Sequence, residues 1–296
     1  MTAKHAPTVR ELLLEAAATI GRSRSIDHWQ PSQSRWDAEE LMIEVLGRPL
    51  DAAMRRSAIS AAERRRFATM IARRVDGEPV AQIRGHFEFR GLDLHVRRGV
   101  FAPRASSELL AAEAISALRR APRQRIGVDV ATGAGPMALA MAHEVRSADV
   151  WGLDISPAAI RLCRQNARRI GAANAHFRVS DMLSALPSRL RDSVSVMTVH
   201  PPYVARNEVR ILPREIRDFE PLHTLTDGSD DGLGMVRELA AAAHRWLRPG
   251  GVLLVEIGTY LARSCATTLR HGGLVDVRSK RDSLGVTRVI SGLRPR

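Results

Sequence analysis

The sequence predicts an α/β protein: a doubly wound domain preceded by a small helical domain, with a β-hairpin between them. Three observations carry this. From about residue 106, short β-type apolar runs alternate with helical stretches. The first 75 residues or so carry the i, i+3, i+4 apolar spacing of helices. Between these regions, two short alternating runs flank Arg90-Gly91. The predicted division is 1–84 helical, 85–105 hairpin linker and 106–296 α/β.

In the helical part, Thr8-x-x-Glu11 and Ser60-x-x-Glu63 are capping-box sequences that start helices. Val9, Leu12, Leu13, Ala16 and Ile20 make one buried face, and Trp36, Leu41, Met42, Val45 and Leu46 suggest a second helix. Arg64-Arg65-Arg66 in the next helix reads as a solvated face, and Gly77-Glu78-Pro79 ends the helical block. Phe87-Glu88-Phe89 and Leu92-Asp93-Leu94-His95-Val96 alternate apolar and polar residues, the pattern of a hairpin. In the α/β part, strands are expected at 126–131, 149–153, 174–179, 193–199, 250–257, 274–279 and 286–291. Helices are expected near 106–120, 136–146, 157–170, 231–247 and 260–271. Sheets of this kind bind ligands at the carboxyl ends of their strands, where strand order reverses.

Composition narrows the class. Of 296 residues, 45% are apolar, enough for a substantial core. The N-terminal residues, Met1 to Pro7, lack the apolar stretch of a signal peptide, and no apolar run is long enough to span a bilayer. A cytoplasmic location is expected. Cys163 and Cys265 make no disulfide framework, and no Cys/His spacing reads as a zinc site. The net charge of +13 invites a nucleic-acid partner. Its distribution argues against one, with 17 basic against 13 acidic residues in 1–100, 13 against 8 in 101–200 and 15 against 11 in the remainder. A docking face needs clustering.

The chemistry-bearing motifs all fall at predicted strand ends. Ile126-Gly127-Val128-Asp129-Val130 runs into Ala131-Thr132-Gly133-Ala134-Gly135, and a helix follows. The glycines let the backbone approach a ligand closely. Asp154 ends the next strand, where an acid accepts the hydroxyl protons of a ribose. Asp181, with Met182, follows the third strand and is placed for the adenine end of a nucleoside. Gly133-x-Gly135-x-x-Ala138 also satisfies a dinucleotide fingerprint, so a nicotinamide-dependent dehydrogenase is one alternative. Asp129 inside the strand, placed near the ammonium of a methionine moiety, favours S-adenosylmethionine.

After the strand Val194–Val199 comes His200-Pro201-Pro202-Tyr203. The prolines fix the backbone, His200 sets hydrogen bonds, and the Tyr203 ring packs on a flat acceptor group. Enzymes that methylate a planar nitrogen carry Asn-Pro-Pro-Tyr here.

The chain resembles the release-factor glutamine N5-methyltransferase (PrmC/HemK) family over nearly its whole length. The resemblance rests on Arg74-Val75-Asp76-Gly77-Glu78-Pro79-Val80-Ala81-Gln82-Ile83-Arg84-Gly85, on Phe87, Phe89, Gly91 and Leu92, and on Pro103-Arg104 with Glu108. It continues in the Gly loop, Asp154 and the Pro-Pro-Tyr motif. Downstream it includes Arg217-Asp218-Phe219-Glu220-Pro221, Asp231-Gly232-Leu233, Pro249-Gly250-Gly251 and Glu256-Ile257-Gly258. It implies a substrate-recognising helical domain, a hairpin linker and a Rossmann-like class I methyltransferase domain. It also implies methyl transfer from S-adenosylmethionine to the glutamine amide in the Gly-Gly-Gln loop of a translation release factor. By this resemblance residues 131–135 form the cofactor loop with Asp129 behind it, Asp154 binds ribose, and Asp181 and Met182 border adenine. His200, Pro201, Pro202 and Tyr203 hold the acceptor, while Phe101 and Arg104 flank the cofactor or close the site. The donor brings its own leaving group, so no metal is expected.

Four positions depart from the family pattern. His200 stands for Asn, and Ala131 for the first loop glycine. Ala105-Ser106-Ser107 stands for Pro-Glu-Thr, and Leu261 for Gln. A neutral imidazole has one acceptor nitrogen and can hold an N–H as Asn does. It is also a candidate general base, which would suit a small-molecule amine, hydroxyl or acid acceptor instead. Two further alternatives are a nucleic-acid adenine methyltransferase acting after base flipping and a non-catalytic relative that only binds the cofactor.

Overall fold

The computed structural model describes residues 6–28, 31–122 and 124–296. Met1 to His5, part of the stretch read above for a leader, lie outside the described residues. The chain divides into two compact units. The first comprises Met1–Gly85 with Ile211–Glu220, and the second His86–Arg210 with Pro221–Arg296.

The first unit is helical. Helix α1 (Val9–Gly21) begins at Thr8, whose Oγ1 accepts from Glu11 N at 3.3 Å while Glu11 Oε2 accepts from Thr8 N at 2.8 Å. Helix α2 spans Gln33–Leu46 and stops at Gly47 in the left-handed region. The short α3 (Ala52–Arg56) is capped by Asp51. Helix α4 (Ala61–Val75) starts with the Ser60/Glu63 capping box. Pro79 does not end helical structure, because it opens a five-residue helix, α5 (Val80–Arg84). Val9, Leu13, Ile20, Leu41, Met42 and Phe67 form part of one core. Trp36, expected on the buried face of α2, is 42% exposed. The buried stripe runs through Ala38, Leu41, Met42 and Val45, and at 100° per residue Trp36 falls outside it. Asp37 points inward instead.

The second unit begins with the hairpin β1 (His86–Phe89) and β2 (Leu92–His95), turning at Arg90 and Gly91, both at positive φ. Phe89, Leu92 and Leu94 enter the core of this unit. Then follow α6 (Glu108–Arg120), β3 (Arg125–Val130), α7 (Pro136–Glu144), β4 (Ala148–Asp154), α8 (Pro157–Ile170), β5 (Ala175–Val179) and β6 (Val194–Val199). After a short α9 (Arg214–Arg217) come α10 (Gly234–Trp246), β7 (Leu247–Glu256), α11 (Ala262–His271), β8 (Val275–Arg281) and β9 (Thr287–Leu293). Each strand and helix expected in this region is present.

The seven strands order as β5-β4-β3-β6-β7-β9-β8. Pairings from β5 to β7 are parallel, and β9 runs antiparallel to both β7 and β8. One face of the sheet packs Leu110, Leu139, Met141 and Ile160, the other Leu239, Trp246 and Leu269. Burial on both faces explains the near-continuous apolar runs of β3 and β6. Strand order reverses between β3 and β6, so the ends of these two strands open the crevice where such sheets take ligands.

Helix α9 leaves the second unit and belongs to the first. Glu215 in it accepts from Arg74 Nη1 at 2.7 Å, and Arg74 Nε donates to Asp37 Oδ2 at 2.6 Å. Arg74 is buried in this triad. The Arg217–Pro221 signature is legible in the sequence, but the return of its first four residues to the helical unit is not.

Candidate active site

The cofactor-loop residues lie where β3 ends. Ala131, Gly133 and Gly135 take φ of 55°, 57° and 88°. Gly135 caps α7 in the left-handed region, with Pro136 as the first helical residue. A Cβ on Gly135 would sit 3.1 Å from Cys163 Sγ and 3.2 Å from Leu139, so tight packing adds to the φ that favours glycine. Helix α8 ties the loop down: Cys163 Sγ donates to Gly133 O at 3.0 Å and Asn166 Nδ2 to Ala134 O at 3.1 Å. Burial, with the nearby Asp154 and Asp129 charges, pushes the Cys163 thiol well up, which keeps its proton for that bond. Ala131 is the exception in the loop. It is a Cβ-bearing residue held where only glycine is free of strain.

Two of the three predicted acids join this loop. Asp129 is buried; its Oδ2 accepts from Thr132 Oγ1 at 2.5 Å and its Oδ1 from Thr198 Oγ1 at 2.7 Å. Thr198 is its register partner on β6. Burial pushes the Asp129 carboxyl up to about 7, against the hydroxyl hydrogen bonds and with help from the Asp154 charge. Asp154 closes β4 and accepts from Gly133 N and Ser156 N, both at 2.8 Å. Burial raises its pKa, while those two N–H groups act against the rise. Ile155 beside it is 58% exposed, an apolar surface next to an acid. Asp181 and Met182 follow β5; Asp181 is exposed, and Met182 sits at φ 47° against the core. Among the described residues no hydrogen bond brings the Asp181 carboxylate to the loop.

The His200 tetrapeptide leaves β6 beside this loop. The Phe101 ring stands T-shaped to the imidazole, with centroids 5.5 Å apart at 84°, and Tyr203 stacks on it at 5.8 Å and 16°. Arg104 lies over the Phe101 ring at 4.9 Å. The carbonyl of Phe101 would be 3.9 Å from a Cβ on Gly133, which brings the loop and the His200 cluster together. Pro201 and Pro202 are buried, and Pro202 O accepts from Asp227 N. Tyr203 bridges to Thr226, and a Cβ on Gly232 would clash with Tyr203 O at 2.0 Å. That close approach accounts for glycine in the Asp231-Gly232-Leu233 signature. Burial raises the Tyr203 phenol above its ordinary value, as does the Glu256 charge, so the ring enters the site neutral.

Sequence reasoning gave no place in the site to four residues here: Thr198 and Ile155, which it passed over, and Ser106 and Glu256, which it noted only as parts of family motifs. Glu256 ends β7 and is buried; its Oε1 accepts from Ser106 Oγ at 3.1 Å, and its Oε2 lies 3.6 Å from His200 Nδ1. The signal available was strand register. Val199 pairs with Val255, so the residues that follow leave the sheet side by side. A separate cleft of about 600 Å³, lined by Trp151, Arg164, Arg168 and His176 among others, opens between α8 and the start of β5. It lies at the amino end of that strand and contains none of the residues above.

Comparison with known proteins places the chain in a family. Residues 126–266 match the model of a methyltransferase domain, and residues 11–85 match the PrmC N-terminal domain. A release factor glutamine methyltransferase of Burkholderia pseudomallei is 35% identical over 266 residues, covering 88% of this chain and 92% of that relative. One of Koribacter versatilis is 36% identical over 238 residues, covering 80% and 82%. Among solved structures, a methyltransferase of Pyrococcus furiosus matches with a TM-score of 0.52 at 15% identity, over 78% of this chain and 100% of that one. A 16S rRNA methyltransferase of T. thermophilus, solved with AdoMet and guanosine, matches with a TM-score of 0.50 at 21% identity, over 71% and 49%. These two likenesses concern the fold. With two-thirds and more of each curated relative covered above 30% identity, the chain belongs to the release factor glutamine methyltransferases, the S-adenosylmethionine-dependent enzymes of protein glutamine N5-methylation.

Proposed function

We propose that this chain methylates the side-chain amide nitrogen of a glutamine in a translation release factor, with S-adenosylmethionine as donor. The observation that carries the reading is the convergence of two clusters at the β3/β6 crevice. One is the Asp129–Gly135 loop with Asp154, and the other is His200 with Tyr203 and Phe101.

The residues present fit the donor. Asp129 is a buried carboxyl raised to about 7, which a nearby ammonium would stabilise in its ionised form. Gly133 and Gly135 leave the loop backbone open to close approach, and Asp154 with exposed Ile155 offers an acid beside an apolar surface. Residues 131–135, Asp129 and Asp154 would hold S-adenosylmethionine, with Asp181 and Met182 towards the adenine. The bound donor supplies an activated methyl group on sulfur together with its leaving group.

An amide nitrogen is a poor nucleophile because its lone pair is delocalised. The residues of this chain therefore work by orientation. His200 accepts one amide N–H through a ring nitrogen and the Pro201 carbonyl accepts the other. The neutral Tyr203 ring packs on the flat amide. Held in this way, the nitrogen presents its face to the methyl group, and alignment and fixed dipoles supply the rate enhancement. Phe101 and Arg104 close over His200. Residues 1–84 serve in recognition of the release factor, which places the enzyme in the cytoplasm.

The test is transfer of labelled methyl from S-adenosylmethionine to purified, unmethylated release factor, beside a release factor with the loop Gln replaced by Ala and a small-molecule extract of the host. Label on the first and not on the second is expected. Label confined to the extract would overturn the assignment and make His200 the base of a re-purposed pocket.

A further inference from the structure

We propose that Glu256 is the positioning residue for His200. Its buried carboxylate, held by Ser106, takes the Nδ1 proton of the imidazole in a hydrogen bond and leaves Nε2 as a fixed acceptor for one substrate N–H. This rests on the reading of His200 as the holder of the amide.

Asparagine carries its acceptor oxygen and donor nitrogen in a covalently fixed arrangement. A neutral imidazole does not, since either ring nitrogen can bear the proton and the partner of one nitrogen decides the role of the other. A histidine that replaces asparagine therefore needs a third group to choose its tautomer. The structure supplies one. The β6/β7 register brings His200 and Glu256 out of the sheet together. Glu256 is 4% exposed and has two unequal oxygens. Oε1 accepts from Ser106 Oγ. Oε2 is buried without a hydrogen-bond partner among the described residues and lies 3.6 Å from His200 Nδ1. Buried carboxylate oxygens are rarely left without a donor, and a few tenths of an ångström of side-chain movement closes this gap to hydrogen-bonding distance.

The ring has little freedom to present anything else. The Phe101 and Tyr203 rings lie against it, one T-shaped and one stacked. With Nδ1–H directed at Glu256, the Nε2 lone pair lies on the opposite edge of the ring. Ser106 stands where the family has Glu. A second carboxylate there would face Glu256 at close range and remove the hydroxyl donor. Two of the four departures from the family pattern, His200 and Ser106, thus meet on one carboxylate.

The full-length chain, labelled with ¹⁵N-histidine, reads the tautomer directly by long-range ¹H–¹⁵N correlation, with the His200 signals assigned by their loss in His200→Asn. The Nδ1–H form is expected in the wild type and in Glu256→Gln, whose amide oxygen still accepts. In Glu256→Ala the signals should move towards the Nε2–H form, with kcat on release factor falling about 10- to 100-fold while S-adenosylmethionine Kd is unchanged. Glu256→Gln should keep most of kcat. An Nε2–H wild type, or the same tautomer in wild type and Glu256→Ala, overturns the proposal. Should Glu256→Ala fail to fold, Glu256→Met, which fills the same space without an acceptor for Nδ1–H, must shift the tautomer in the same direction, and no shift there overturns it equally. The spectrum needs no substrate. Release-factor methylation by an Nε2–H enzyme overturns this inference alone. An Nδ1–H enzyme that leaves the release factor unlabelled bears this inference out and overturns only the proposed acceptor.

Discussion

Asp129→Asn separates what the buried acid costs the fold from what it provides for the cofactor. In the folded protein the carboxyl titrates at about 7, against 3.8 for an ordinary aspartate. The native state therefore holds its proton more tightly than the unfolded chain does. Stability from the protonated group is complete below the unfolded value and is lost as pH rises towards the folded one. At 1.36 kcal/mol per unit, a gap of about three units corresponds to roughly 4 kcal/mol lost across that window. Asparagine keeps a carbonyl oxygen for one of the two threonine hydroxyls and has no charge to bury. In urea unfolding of cofactor-free protein between pH 4.5 and 8.5, the variant should gain on the wild type through this interval, then run parallel above pH 7. S-Adenosylmethionine binding should weaken in the same variant, since no carboxylate remains to meet the ammonium. Parallel stability profiles over the whole range would refute the argument. They would mean that Thr132 and Thr198, with whatever water reaches the site, hold the ionised form without penalty.

Three further outcomes are expected. Ala131→Gly relieves a left-handed alanine that costs about 1–2 kcal/mol, part of which returns as the chain entropy of glycine; a net gain of up to about 1 kcal/mol in thermal or urea unfolding is expected, and a loss of that size would show that φ 55° is unstrained here. His200→Asn restores a fixed acceptor and should keep kcat on release factor within about tenfold, whereas His200→Ala should lose about 100-fold or more, as for removal of one oriented hydrogen-bonding group; equal losses would remove His200 from the role of acceptor. Arg74→Met leaves buried Asp37 and half-buried Glu215 without their cation, and loss of one partner of a buried ion pair costs about 3–5 kcal/mol; an unfolding midpoint within error of the wild type would show the triad to be energetically neutral.

The legible parts of the fold were those whose determinants lie close together in sequence. The Thr8/Glu11 and Ser60/Glu63 boxes span three residues each, and both form as read. The central strands β3, β4, β6 and β7 announce themselves as apolar runs because both faces are covered. Trp36 misleads when an aromatic is given weight over its angular position on the helix, while Asp37, the residue that does turn inward, looks like surface. Its partner Arg74 is 37 residues away and Glu215 another 141 beyond that. No local pattern marks such a triad.

The candidate site divides along the same line. The glycines after β3 are legible as a tight turn because Gly-x-Gly directly behind an apolar strand favours left-handed backbone, and both glycines adopt it. Two of the groups that set the behaviour of Asp129 and His200 cannot be paired with them from the sequence, since each arrives on a neighbouring strand. Thr198 reaches Asp129 from β6, and Glu256 reaches His200 from β7. In a parallel sheet such neighbours are separated by a whole crossover, so their pairing follows only from strand order and register. The consequence for the His200 substitution is specific. Judged from the tetrapeptide alone, histidine for asparagine has two equal readings, base or acceptor. Beside a buried carboxylate with one oxygen held by Ser106 and the other facing Nδ1, the two nitrogens of the ring are no longer equivalent, and Nε2 is singled out as the atom left to meet the substrate, whether it takes a hydrogen bond or a proton.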